Sequence, residues 1–129
     1  MLTIKLDNFD LFSKNEILDE NGCIRYWTQY DFSYKHRVHI YDTNDDEIGY
    51  VQYKILSIQD SAKIFAKDDK ELDLSYLSNI EYKDKWNYTI TNNGNVIASV
   101  KSNDNKVVID INDEQLVNEC ILYIFSLAE

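Results

Sequence analysis

The chain has no proline, and it has only three glycines and two cysteines among its 129 residues. Because no proline-rich or low-complexity stretch divides it, we expect a single domain over residues 1–129, long enough to bury a core without disulfides or metals. Cys23 and Cys120 lie far apart and outside any CxxC or metal-ligand spacing. We therefore expect both to be small buried hydrophobes and not a disulfide.

Motifs of catalysis and metal binding are also missing. No GxSxG, Walker loop or GxGxxG occurs, and the two histidines and two cysteines lack the spacing of a zinc site. The stretch "DTNDDEIGYVQY" begins like a calcium loop with Asp42, Asn44 and Asp46, but Glu47 and Tyr53 occupy the positions of its glycine and glutamate. The prediction is a protein that is not an enzyme, with no catalytic residue, no metal and no cofactor.

Positive charge is scarce: 13 Lys and Arg stand against 23 Asp and Glu, for a formal net charge of -10. This charge repels phosphate backbones, so no nucleic-acid partner is expected. An acidic surface ordinarily serves solubility, but it also suits a protein that mimics nucleic acid or neutralises a basic partner. A continuous acidic stripe on the surface would favour that alternative.

Signals for export or membrane insertion are lacking as well. The first ten residues, "MLTIKLDNFD", have no basic and apolar regions of a signal peptide, so a cytoplasmic location is expected. The most apolar stretch, near residue 120, is shorter than the roughly 20 residues that span a membrane, and it has no basic flank. No transmembrane segment is predicted.

What the chain does contain is a repeated hairpin pattern. Four stretches share an apolar-alternating run, a turn rich in Asp, Asn, Gly and Lys, and a second run: 16–30, 38–54, 63–77 and 88–102. Asn, Asp and Gly tolerate the positive φ angles of tight hairpin turns. With "LTIKL" at 2–6 and "KVVIDI" at 106–111, nine to eleven strands are predicted, in an antiparallel meander that closes into a barrel or folds into a sandwich.

After Ile111 the pattern changes to that of a helix over about 113–128, with Asn112 or Asp113 as its N-cap. A strand through "CILYIF" is the alternative. The apolar residues spread around nearly the whole helix, so we expect it to be surrounded by protein as the centre of a barrel. The residues predicted to form this core helix are Leu116, Val117, Cys120, Ile121, Ile124 and Phe125.

The order of these hairpins and the terminal helix resembles the tubby C-terminal-like fold, in the small bacterial branch related to the plant LURP-one proteins and the YxjI group. The matching stretches are "EILDENGCIRYWTQYDFS", "VHIYDTNDDEIGYVQYKILSI", "NYTITNNGNVIASVKS" and "KVVIDINDEQLVNECILYIFSLAE". The resemblance implies 9–12 strands closing around a hydrophobic helix. The stretch 63–87 is shorter than the family's middle section, as if a hairpin were missing.

The same resemblance implies a non-enzymatic binding or scaffold domain, with a phospholipid headgroup, a membrane surface or a protein as partner. A basic cluster that suits an anion is Lys35, His36 and Arg37, because arginine offers a planar fork and lysine a point charge. A solvated turn is the plainer interpretation of this cluster. We expect His39 to share the strand face of Arg37.

Aromatic residues are concentrated in the first third of the chain: Tyr26, Trp27, Tyr30, Tyr34 and Tyr41. They suit either a partner surface or, more simply, cross-strand pairs and core filling. A helix that fills the barrel leaves no lumen for a ligand, so any binding site should lie on the outside or at a rim. An empty cavity inside would instead indicate a lipocalin-like carrier.

Overall fold

The computed structural model describes residues 1–31, 36–54 and 62–129, and these form ten strands and a C-terminal helix. The strands are β1 (Leu2–Lys5), β2 (Asn15–Leu18), β3 (Ile24–Asp31), β4 (Arg37–Asp42), β5 (Glu47–Gln52), β6 (Lys63–Phe65), β7 (Leu77–Asp84), β8 (Asn87–Asn92), β9 (Asn95–Asn103) and β10 (Lys106–Ile111). A 3-10 turn (Glu114–Leu116) leads into helix α1 (Val117–Ser126).

All ten strands belong to one antiparallel sheet in the order β6-β5-β4-β3-β2-β1-β10-β9-β8-β7. Strands β1 and β10 pair at its centre, with Leu2 opposite Ile109, and so join two meanders. The predicted antiparallel meander of 9–12 strands with a C-terminal helix is confirmed. Closure into a complete barrel is only partly realised, because among the described residues β6 and β7 are edges that do not pair with each other.

The open seam between β6 and β7 has a local cause. Strand β6 has only three residues, and after it the chain turns at 66–70 and returns through a single bridge between Phe65 and Glu71. Residues 78–85 lie between the predicted hairpin stretches 63–77 and 88–102 and were not predicted as a strand, but β7 pairs with β8 there. An exposed edge strand carries no apolar alternation that would distinguish it from a turn.

The terminal helix is shorter than the predicted 113–128. Asp113 caps the 3-10 turn by accepting a hydrogen bond from the Gln115 backbone N–H at 3.1 Å, and α-helical geometry begins only at Val117. Of the residues predicted for the core helix, Cys120, Ile121, Ile124 and Phe125 are buried, while Leu116 and Val117 are partly buried against the core. No helix within the described ranges is long and apolar enough to cross a membrane.

Three polar contacts fix α1 within the curved sheet. The Tyr26 hydroxyl donates to Asn118 Oδ1 at 2.8 Å, and the Tyr53 hydroxyl donates to the Phe125 carbonyl at 2.6 Å. Asn79 of β7 donates to the Tyr123 hydroxyl at 3.0 Å. The helix is therefore held from both meanders of the sheet.

A close approach of strands over the helix explains why residue 49 is a glycine. Gly49 has φ +152°, and a Cβ added there would lie 2.5 Å from the Phe65 carbonyl oxygen and 3.2 Å from Leu122 Cδ2. We expect Gly49→Ala to lower the free energy of unfolding by about 2–3 kcal/mol, because backbone of β6 must move. Urea unfolding measures this change.

The control for this substitution is Gly94→Ala. Gly94 has φ +88° with nothing within 4 Å of an added Cβ, so only the backbone conformation is penalised. We expect that loss to be about 1 kcal/mol. If both substitutions lower the free energy of unfolding equally, the close approach at Gly49 does not contribute to the cost of Gly49→Ala.

Candidate functional site

The described residues of the predicted anion site, His36 and Arg37, do not lie on the same side of the sheet. Lys35 lies outside the described residues. His36 and Arg37 are consecutive, and successive side chains of extended backbone point to opposite sides. Their contacts agree with this, because His36 packs against Tyr53 on the core side and Arg37 packs on Tyr50 on the outer side.

Both of these side chains already have partners. His36 Nδ1 lies 3.0 Å from the Tyr30 hydroxyl and Nε2 lies 3.0 Å from Glu129 Oε2. Arg37 Nε donates to Gln52 Oε1 at 3.2 Å, and the guanidinium lies 4.6 Å from the centre of the Tyr50 ring. The two groups do not converge on one point, and the anion site at Lys35, His36 and Arg37 stays a prediction.

A better-formed feature is a set of rings on the outer side of β3 to β6, which we call the outer aromatic face: Trp27, His39, Tyr41, Tyr50 and Phe65. The register places His39, Tyr50 and Phe65 in one row across three strands. The Tyr50 ring stacks on Phe65 with centroids 5.0 Å apart and lies 5.0 Å from His39. As predicted, His39 shares the face of Arg37.

Tyr50 is the centre of this row. It is only 2% exposed although it lies outside the main core, because Arg37 and Phe65 cover its ring. Its hydroxyl donates to Asp69 Oδ1 at 2.8 Å. Burial and then this hydrogen bond raise the pKa of Tyr50 to about 12, so it remains a neutral donor.

His39 lies between two carboxylates. Its Nδ1 is 2.7 Å from Glu47 Oε1 and its Nε2 is 3.5 Å from Asp31 Oδ2. Among the described residues, no group of three or more His, Cys, Asp and Glu has the arrangement of a metal site. The arrangement offers hydrogen bonds and charge to a partner and contains no nucleophile next to a base.

The second row of the outer aromatic face is a stack of Trp27 on Tyr41, with ring centroids 4.2 Å apart and planes 17° apart. Lys14 Nζ lies 4.8 Å from the Trp27 ring centre, and Trp27 Nε1 donates to Asp45 Oδ1 at 2.9 Å. Both rings are half-buried, so an edge or face of each remains accessible.

Of the two roles that the sequence leaves open for the aromatic residues of the first third, the described residues follow the simpler one, cross-strand pairs and core filling. Trp27 and Tyr41 lie on the outer side, whereas Tyr26 is buried in the core and Tyr30 packs against Phe12. Tyr34 lies outside the described residues. The prediction missed His39, Tyr50 and Phe65 as a set, and period-two spacing on β4 and β5 was the signal that could have joined the first two.

The two cysteines differ in their surroundings. Burial raises the pKa of the Cys120 thiol to about 12, so the thiolate that would act as a nucleophile is not formed near neutral pH. Cys23 is exposed, which corrects the expectation that both cysteines are buried. It lies in the turn between β2 and β3.

Acidic residues gather at one end of the sheet. Strands β2, β4, β6 and β10 run in the same direction, so the segments that follow them lie at the same end. These segments carry Asp19, Glu20, Asp45, Asp46, Asp68, Asp69, Asp113 and Glu114, accompanied by Lys67 and Lys70. We call this set the acidic end.

Comparison with known proteins adds a likeness of fold. The chain matches the X-ray structure of a protein from Arabidopsis thaliana, AT5G01750, with a TM-score of 0.65 and 10% sequence identity, over 99% of this chain and 91% of that one. No protein-family model and no curated protein matches the chain. The likeness supports the fold expected from the tubby C-terminal-like resemblance.

Proposed function

We propose that the protein is a non-enzymatic binding module of the LURP-one-related type, and that it recognises a protein partner on its outer surface. The Arabidopsis protein of the same fold is LURP-one-related, which supports this class. Fold alone does not give function, and the accessible surfaces decide between the candidate partners.

The observation that carries the proposal is the filled interior. Ile121, Ile124 and Phe125 of α1 are 0% exposed, and they meet inward-facing side chains from both meanders. Three grooves lined by described residues, of about 450, 390 and 260 Å³, open to solvent. A ligand therefore reaches this molecule from outside, unlike the ligand of a lipocalin-like carrier.

A protein partner fits the outer surface better than a phosphate headgroup does. The formal charge of -10 repels anions at long range, and the Arg37 guanidinium and the His36 ring already have partners. The outer aromatic face presents half-buried Trp27 and Tyr41, and Arg37 lies on the same side of β4, where it packs on Tyr50. Trp, Tyr and Arg are the residues that dominate binding energy at protein interfaces.

The acidic end supports a second candidate function, that of an acidic protein that neutralises a basic partner. Its carboxylates come from four separate turns but lie at one end of the molecule. Such a concentration of one charge accelerates association with a partner of opposite sign, in a salt-dependent manner. The two candidates differ in which surface carries the contact.

Affinity capture from cells that express the protein, with quantified prey, tests the proposal. We expect Trp27→Ala with Tyr41→Ala to remove the main protein prey, and Gln29→Ala, an exposed change on the outer side of β3, to retain it. If Asp46→Asn with Glu114→Gln, two exposed changes within the acidic end, removes the prey instead, the acidic end is the binding surface. Prey retained by all these variants would contradict both candidates.

Liposome co-sedimentation tests the predicted headgroup site at Lys35, His36 and Arg37. Vesicles of phosphatidylcholine, with and without phosphatidylserine or a phosphoinositide, are compared for the wild-type protein and for Lys35→Ala with Arg37→Ala. We expect no sedimentation with any vesicle. Binding that requires an anionic lipid and is lost in the double variant would establish a headgroup site and contradict the choice of a protein partner.

A further inference from the structure

The open seam of the sheet forms a groove between β6 and β7 that differs from the outer aromatic face. Its volume is about 450 Å³. Most of the lining is apolar, from Ala62, Ile64, Leu72, Leu74, Leu77, Tyr123 and Leu127, and the polar residues are Lys63, Glu71, Ser75 and Ser126. We call this space the seam groove.

The floor of the seam groove is the side of α1 that the sheet leaves uncovered. Tyr123, Ser126 and Leu127 are partly exposed, whereas Ile121, Leu122, Ile124 and Phe125 are at most 2% exposed. Tyr123, Ser126 and Leu127 are spaced by three and four residues and so lie on one side of the helix. On the β7 flank of this stripe, Asn79 donates a hydrogen bond to the Tyr123 hydroxyl.

One wall of the seam groove ends in an unpaired strand edge. Within the described part of the chain, β7 pairs only with β8, so one side of its backbone has no strand partner. The regular part of this edge runs over residues 77–80, because the pairing with β8 shifts between Ile80 and Asp84, and Ile80 is 41% exposed. Such an edge is a ready template for another strand.

We propose that the seam groove and the free edge of β7 together bind an extended segment of a partner protein, which adds to the sheet as an eleventh strand. Backbone hydrogen bonds to β7 would set its position. Alternate side chains of an added strand point inward, where they meet Leu77, Tyr123 and Leu127. The segment therefore has apolar residues at every second position.

The charge of the surface around the seam groove indicates which residues should stand beside the apolar residues of the bound segment. Glu71 and Asp73 are exposed on the segment that follows β6, Lys63 of the lining is exposed as well, and the whole molecule carries a net charge of -10. Lysine or arginine beside the apolar residues complements this rim. A second copy of the chain is disfavoured as the occupant because two such molecules repel each other.

Ser75→Trp blocks the seam groove, and the chain offers a closely matched control. Ser75 and Ser13 are both exposed, and each hydroxyl bonds an aspartate just before it, Asp73 and Asp10 respectively. Ser75 lines the seam groove, whereas Ser13 does not. Both tryptophan variants should keep the circular dichroism spectrum of the wild type.

The probe is a phage-displayed library of random 12-residue peptides selected on the wild-type protein, with enriched peptides then synthesised for calorimetry. We expect apolar residues at alternate positions with Lys or Arg between them. Ser75→Trp should weaken these peptides by about tenfold or more, while Ser13→Trp should change them by less than about twofold. Bound peptide should also slow amide exchange in β7.

Three results would overturn the proposal: no enriched peptide, peptides that bind Ser75→Trp as tightly as the wild type, or β7 amides whose exchange does not slow. A mass doubling in light scattering that Ser75→Trp abolishes would also overturn it, in favour of a second copy. Trp27→Ala with Tyr41→Ala should leave peptide binding unchanged. Failure here therefore leaves the proposed function of the outer aromatic face untouched.

Discussion

Replacing Ile124 with aspartate is expected to prevent folding. Ile124 is 0% exposed in the middle of α1, and among the described residues no cationic side chain is buried in the core. An unpaired charge at such a position costs several kcal/mol, against a total stability of about 5–15 kcal/mol for an ordinary domain. Far-UV circular dichroism should show loss of the sheet signal.

The control for this experiment is a negative charge on the same helix at an exposed position. Asn118→Asp keeps an oxygen that can accept the hydrogen bond from the Tyr26 hydroxyl, and residue 118 is exposed. We expect this variant to fold. A folded Ile124→Asp protein, with sheet content equal to that of Asn118→Asp, would mean that α1 is not the centre of the fold.

Alkaline pH is expected to unfold the protein through two buried tyrosines. Burial raises the pKa of Tyr53 and of Tyr88 well above the ordinary value of 10. Their stabilising contribution is therefore complete below pH 10 and falls as the pH rises, because only the unfolded chain then releases these protons. Each such tyrosine costs about 1.4 kcal/mol of stability per pH unit above 10, or about 5 kcal/mol for both at pH 12.

A base titration followed by tyrosine absorbance and circular dichroism measures this effect. The part of the absorbance change that comes from the buried tyrosines should coincide with the change in circular dichroism above pH 10. Tyr88→Phe should shift the transition to higher pH without loss of stability at neutral pH, because the Tyr88 hydroxyl has no hydrogen-bond partner in the described structure. Titration of all ten tyrosines near pH 10 with an intact sheet would contradict the prediction.

Most of the fold follows from local patterns in the sequence. Hairpins with clear turn chemistry, such as those around Gly22 and Gly94, occur where predicted, and both glycines have positive φ. The helix was recognised because its apolar residues leave no polar side. Strand β7 was missed because exposed edge residues such as Glu81 and Lys83 resemble a turn, and pairing with β8 overrides that local preference.

The candidate surfaces were harder to predict than the fold. Neighbours in sequence, such as His36 and Arg37, separate to opposite faces, whereas Asp31, His39 and Glu47 meet only because the strand register aligns them. The seam groove depends on the failure of β6 and β7 to pair, and no single residue marks that failure. Sequence patterns report which face of a strand is apolar, but not which strands remain without neighbours.

The central pairing of β1 with β10 has a consequence for how the chain reaches this structure. Every other strand pair joins consecutive strands, and so closes a short loop. The β1–β10 ladder closes a loop of about a hundred residues, whose entropy must be overcome before any of its contacts form. The two meanders can thus assemble from nearby contacts, and the slow step of folding is expected to be their joining along one ladder.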